Sequence, residues 1–162
     1  MKTLQTLRLA AASVLALSVA NVYAATATDN MDVTAEVVAN CTIGVTSLDF
    51  GSYDPIVANA SSGADVDSTS TITTTCTKDA SITTSIDNGD NFSTTRRMAN
   101  GGSFLSYGLY RTDYSTAWTN LVGAGTGAAV NTTVLGRIPK GQDATTLAVG
   151  SYTDTLVVTV TF

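Results

Sequence analysis

The sequence predicts an all-β domain: a sandwich of short strands closed by one disulfide. Beyond the opening apolar run, the chain is dense in Thr, Val, Ser, Ala and Gly and poor in Leu, Glu and Lys, which is the composition of strands and turns. No later window carries a helical period, and the two prolines, Pro55 and Pro139, fall where a turn or strand boundary fits. The only cysteines, Cys41 and Cys76, are read as a disulfide in a chain bound for an oxidising compartment, with a reactive thiol as the alternative.

Export is read from the first residues. Lys2 and Arg8 form a basic n-region, Leu9 to Ala20 an apolar h-region, and Val22-Tyr23-Ala24 a cleavage site with a small last residue. This predicts a signal peptide over 1–24 rather than a membrane anchor, because the run is short and no basic stop-transfer cluster follows it. Residues 25–162 are enough for one domain with its own core.

Strands are expected in order along this stretch. Met31, Val33, Ala35 and Val37 alternate with Asp32, Thr34 and Glu36, as a strand with one buried face does. Further strands are expected over Ile72–Cys76, Ala80–Ile86, Leu105–Tyr110 and Val130–Ile138. The last is Leu156, Val158, Val160 and Phe162, alternating with Val157, Thr159 and Thr161. Asp87-Asn88-Gly89-Asp90, Asn100-Gly101-Gly102 and Lys140-Gly141 supply turn chemistry, the first as an Asn-Gly hairpin. Asn59–Ser70 and Gly123–Gly127 read as loops. Short strands on one stapled domain point to a sandwich.

Several function classes drop out. The chain has no histidine, so a Ser-His-Asp triad, a Cys-His pair and His-based zinc sites are impossible. No other catalytic constellation is present, and no enzyme, cofactor or metal is expected. The net charge is −5, and the part beyond Lys2 and Arg8 is more acidic still. Without a Lys/Arg cluster this argues against nucleic acid and anionic membranes. Asp87 and Asp90 do not match a calcium loop, and Asp65 and Asp67 read as loop solvation. Arg96 and Arg97 read as surface ion-pairing residues. Trp118, with Tyr110 and Tyr114, reads as packing, with a carbohydrate platform as the rival. The sequons at Asn40, Asn59, Asn91 and Asn131 are expected by chance in so Thr/Ser-rich a chain.

The segment Met31–Val37 has two readings. One is an ordinary first strand. The other is a strand held out to complement a second subunit, with main-chain hydrogen bonds for affinity and alternate side chains filling pockets. A one-residue slip would turn Asp32, Thr34 and Glu36 inward.

Taken in order, these pieces resemble a known family. They are the alternating segment ending at Val37, then Cys41-Thr-Ile-Gly, then Leu48-Asp-Phe-Gly-Ser-Tyr-Asp-Pro55, then Cys76. Ile86-Asp-Asn-Gly, Arg97-Met98, Leu105-Ser-Tyr-Gly-Leu-Tyr110, Trp118 and the closing Gly150–Phe162 run follow. Together the chain resembles the spore coat protein U family, which includes pilins of archaic chaperone–usher pili. The resemblance implies an incomplete immunoglobulin-like β-sandwich lacking its last strand. Residues 25–38 would be an N-terminal donor segment and 39–162 the pilin domain. A periplasmic chaperone would lend a strand until an outer-membrane usher exchanges it for the N-terminal strand of an identical or related pilin subunit. Met31, Val33, Ala35 and Val37 would then fill a neighbour's groove. Leu156, Val158, Val160 and Phe162 would form the last native strand bordering the groove, with the Phe162 carboxylate as a chaperone anchor. The implied role is a structural pilus subunit exported to the cell surface for attachment and biofilm formation. The alternatives are a spore-coat or matrix protein of the same fold, and a carbohydrate-binding sandwich. Ala35 departs from the pattern, because a larger side chain would fill a pocket better.

Overall fold

The computed structural model describes residues 23–162, so most of the expected signal peptide lies outside the described residues. The chain divides into two units, one ending at Ala35 and the other spanning Glu36–Phe162, and each is described by itself. In the first, residues 23–35 have no regular secondary structure and expose their side chains. The second is all-β among the described residues.

Eight strands form in it: β1 (Cys41–Val45), β2 (Val66–Cys76), β3 (Ser81–Ile86), β4 (Arg96–Asn100), β5 (Ser103–Tyr110), β6 (Leu121–Ala124), β7 (Ala129–Ile138) and β8 (Val158–Thr161). One sheet has the order β1-β2-β7-β5-β4 and the other β6-β3-β8. Every named pairing is antiparallel.

Period-two burial explains the long strands. In β2 the inward side chains are Ser70, Ile72, Thr74 and Cys76. In β5 they are Leu105, Tyr107 and Leu109, and in β7 Val134, Gly136 and Ile138. These faces join Ile86 and Trp118 in one core, where fully burying a large aliphatic side chain stabilises by roughly 1.5–3 kcal/mol. Cys41 and Cys76 are opposite residues of the β1–β2 ladder and are joined by a disulfide.

Several expectations need correction. Residues 66–70 are not loop: Val66 to Ser70 pair with Val134 to Ile138 of β7. Beside Val66, which packs against the core, their inward side chains are the hydroxyls of Ser68 and Ser70, and the Ser70 hydroxyl meets its need by donating to the Thr46 carbonyl at 2.6 Å. Leu121–Ala124 is a strand paired with β3, so the expected loop at Gly123 begins only after Ala124. Asp87–Asp90 is not a hairpin but part of the crossing from β3 in one sheet to β4 in the other. Asn100-Gly101-Gly102 does close a hairpin, between β4 and β5, with φ +57° at Gly101. Asp65 and Asp67 are not merely solvated, since both pair with Arg137. Arg96 and Arg97 bond to backbone carbonyls rather than acids: Arg96 to those of Ile86 and Asp87, Arg97 to that of Asn91. The Asn59 side-chain amide is buried and spent on Asp54 and Ala64.

Candidate functional site

The two sheets do not close on each other along one side. β1 pairs only with β2, and β8 only with β3, so two strand edges face each other without a ladder between them. The chain leaving β1 (residues 46–55) and the chain entering β8 (residues 147–157) wall the gap. Between them lies a cleft of ≈ 370 Å³ that reaches the core, with Ile72, Ile86, Tyr107, Leu109 and Val134 among its lining. Leu48, Phe50, Leu156 and Val158 line it as well. It shares Leu48, Phe50, Met98 and Tyr152 with a recess of ≈ 570 Å³ that extends to Pro55 and Val149.

Local chemistry holds the walls in place. Thr46 N–H donates to the Thr71 carbonyl at 3.0 Å, continuing β1 along β2. Leu48 and Phe50 lie over Gly136, where a Cβ would crowd the ends of both side chains. Phe50 packs against Tyr107 with ring centroids 6.0 Å apart. On the opposite wall, Thr153 exchanges two backbone bonds with Ala99 of β4. Val157 is tied to Asp87 twice: its N–H donates to Asp87 Oδ1 at 3.0 Å, and its carbonyl accepts the Asp87 N–H at 3.0 Å. This wall therefore changes sheets, with Thr153 on the larger and β8 on the smaller.

One polar cluster interrupts the apolar lining. Tyr107 Oη donates to Asp154 Oδ2 at 2.6 Å, and Asp154 Oδ1 accepts from the backbone and side-chain nitrogens of Asn91. Burial, followed by the bond to Asp154, pushes the Tyr107 hydroxyl well above the usual phenol range. The hydroxyl stays a neutral donor, and the cluster holds the shape of the wall.

The expected site residues are placed unevenly. Leu156 and Val158 line the cleft. Val160 sits opposite Thr84 in the β3–β8 ladder, half-buried and outside the lining, and Phe162 is 54% exposed. Met31 and Val33 in the first unit are each 87% exposed, and Ala35 is exposed too. Val37 in the second unit is 84% exposed. The expected strand with a buried face is therefore not seen: no strand forms over 23–40. Sequence reasoning did not assign Leu48, Phe50, Met98, Tyr107 and Tyr152 to the site. Leu48-Asp49-Phe50 carried the signal, an alternating pair just past the first cysteine.

The aromatic platform fails on geometry. Trp118 is buried in the core, and its backbone N–H donates to the Leu109 carbonyl at 2.8 Å. Tyr114 and Tyr110 meet edge to face, and the face of Tyr114 lies under the Arg137 guanidinium, 3.9 Å from the ring centroid. No stacked pair of open ring faces is left for a sugar.

The Spore Coat Protein U domain model matches residues 27–159, nearly all of the described chain. The chain belongs to the spore coat protein U family. A relative within reach of this family member is Protein U of Myxococcus xanthus, 38% identical over 172 residues, covering 94% of this chain and 93% of that protein. Among solved structures, the family member is similar to a chain in the CsuC–CsuE chaperone–tip adhesion subunit pre-assembly complex from archaic chaperone–usher Csu pili of Acinetobacter baumannii. The TM-score is 0.56 at 21% identity. The match covers 78% of this chain and 40% of that one. That likeness is one of fold.

Proposed function

We propose that this chain is a structural subunit of a surface pilus, built by donating residues 31–37 into the cleft of the next subunit. One observation carries the reading: the core is open along the gap between β1 and β8, while an alternating apolar segment is exposed in the same chain. An open cleft with unpaired edges is an aggregation hazard until it is covered. A strand laid between residues 46–55 and 147–157 would pair both edges and cover Leu48, Phe50, Leu156 and Val158. Met31, Val33 and Val37 would each gain up to roughly 1.5–3 kcal/mol on full burial, Ala35 less. Head-to-tail donation does not close on itself, so it grows a filament.

On this reading residues 1–24 direct export, 25–38 are the donor segment and 39–162 the receiving domain. A periplasmic chaperone covers the cleft before assembly, an outer-membrane usher presides over the exchange, and the product stands on the cell surface, where it serves attachment and biofilm formation. The fold shared with a chaperone-bound pilus subunit supports this, as does the family. The role is structural, with no catalysis.

The test is expression to the periplasm with and without residues 25–37, beside a chaperone and usher, read by unheated SDS gels and electron microscopy. The intact chain should give a ladder and fibres, and the truncation only chaperone-bound monomer. Stable monomer from both, without a chaperone, would rule strand donation out. It would favour the second reading, a coat protein of the same fold, to which the family's description points.

A further inference from the structure

The joint between the donor segment and its own body is short. Asn40 is held on both sides: its N–H donates to Thr77 Oγ1 at 3.0 Å, and its carbonyl accepts the Thr77 N–H at 2.9 Å. This extends the β1–β2 ladder one pair past Cys41 and Cys76. Only Val38 and Ala39 remain between that clamp and Val37, a reach of roughly 7–10 Å at about 3.3 Å per extended residue. Resting on the strand-donation reading, a body so tethered has to sit against the mouth of the cleft it fills.

The domain has two distinct ends, with β2 and β7 running between them. At the base, Thr75 pairs with Ala129, and at the crown, Val66 pairs with Ile138. The base is the Thr77–Ala80 turn stitched to the Gly125–Gly127 loop. Asp79 N–H donates to the Gly125 carbonyl and Gly125 N–H to the Ala80 carbonyl, both at 2.8 Å. Gly127 N–H donates to the Cys76 carbonyl at 2.9 Å. The donor segment leaves from this end.

The crown carries apolar side chains that the single copy does not cover. Ile56 and Val57 are 71% and 73% exposed, and Val149 is fully exposed. Ile56 and Val57 are not on a slack loop. The Asp54 carboxylate accepts the Ile56 and Val57 N–H groups at 2.9 and 3.2 Å, and the buried Asn59 side chain fixes the turn from behind. The cleft's recess opens here, between Pro55 and Val149.

Entry of Val37 at the base of an acceptor would crowd the incoming body onto the surface from which the acceptor's own segment departs. Entry at the crown brings two different surfaces together and repeats indefinitely. We propose that the crown of one copy, through Ile56, Val57 and Val149, seats on the base of the next copy, at its Thr77–Asp79 turn and Gly125–Gly127 loop. The partner is a second copy of this chain, and the contact buries an apolar patch that the isolated subunit leaves in water.

Two lysines make this readable. Beyond Lys2 the chain has only Lys78 and Lys140. Lys78 lies on the base turn with its side chain 76% exposed. Lys140 lies at the crown, its backbone N–H on Asp65 Oδ1 and its Nζ on the Gly63 carbonyl. Within one copy they are separated by the length of β2, roughly 35 Å, beyond a short amine–amine reagent. Filaments grown from mixed light and isotope-labelled subunits are treated with such a reagent and digested for mass spectrometry. The expected product is a Lys78–Lys140 link between copies, lost in K78R and in K140R. Links of Lys78 to Lys78 or Lys140 to Lys140, or no lysine link in filaments that still run as an SDS-resistant ladder, would overturn the end-to-end contact alone. Absence of any ladder from the intact chain would remove strand donation and this contact with it. A second variant, Ile56→Asp with Val57→Asp, should keep the ladder while the filaments' persistence length in micrographs drops several-fold; an unchanged length counts against the contact.

Discussion

Gly89 shows how one atom can govern the cleft wall. Its φ is +82°, and a Cβ there would overlap the Asp154 carboxylate that Tyr107 and Asn91 hold. Gly89→Ala therefore combines a left-handed backbone penalty with loss of a half-buried hydrogen-bond cluster, together about 2–4 kcal/mol. Gly101→Ala is the matched control, since φ is +57° but nothing lies within 4 Å of the added carbon. Thermal unfolding of the chaperone-bound subunit should show a clearly larger fall in Tm for Gly89→Ala; equal falls would mean the Asp154 cluster carries no weight. Asp113 offers a second residue-level test. The Ser115 hydroxyl, then the Ser115 and Thr116 N–H groups, hold its carboxyl at about 2, below its ordinary 3.8. A depressed carboxyl stabilises the fold above its unfolded value and loses that contribution as pH falls through its folded value. The loop that Asp113 caps should keep its amide protection at pH 4 and lose it progressively towards pH 2. Ser115 and Thr116 amide signals that do not move across that interval would contradict the assignment.

At the scale of elements, the proposed donor segment and the strands differ in how plainly the sequence announces them. Ala35 sits among larger alternating neighbours, so Ala35→Leu should change the rate at which filaments exchange subunits, by slowing dissociation if its pocket has depth. Dissociation kinetics identical to the unsubstituted filament would place Ala35 outside the groove. The strands with apolar inward faces, β5 and β7, were legible because Leu105, Tyr107 and Leu109, or Val134 and Ile138, repeat every second residue. The first half of β2 was not, because Ser68 and Ser70 face inward and satisfy themselves on the carbonyls of Asp49 and Thr46. A hydroxyl with a partner can face the core without an unmet hydrogen bond, yet it reads as loop. β4 and β6 were missed for another reason: Arg96-Arg97 and Leu121-Val122-Gly123 show no alternation, since edge strands are placed by their neighbours. The cleft itself was half legible. Leu156 and Val158 follow from their own strand, whereas the approach of Leu48 and Phe50 is set by a glycine far along the chain, Gly136, which no local pattern reveals.

For the whole molecule, the disulfide holds an edge strand that packing alone secures weakly. β1 is five residues long and touches only β2 in its sheet. Cross-linking residues 35 apart is worth about 3–4 kcal/mol in the chain-entropy account, a large share of the stability of an open sandwich. Replacing both cysteines by serine should strip most of the protein from the periplasm even beside a chaperone, read by immunoblot; undiminished levels would show that β1 stays docked without the bond. The wall that changes sheets has a mechanical consequence. Thr153 is bonded to β4 in one sheet and Val158–Thr161 to β3 in the other, so a strand lying along it is gripped across the seam. Ladder bonds run perpendicular to their strands, and tension along a filament of such strands pulls parallel to them. In the filament proposed above the bonds would then be loaded together, in shear, instead of being peeled apart one after another, and a pull would be shared by both sheets of every subunit it crosses.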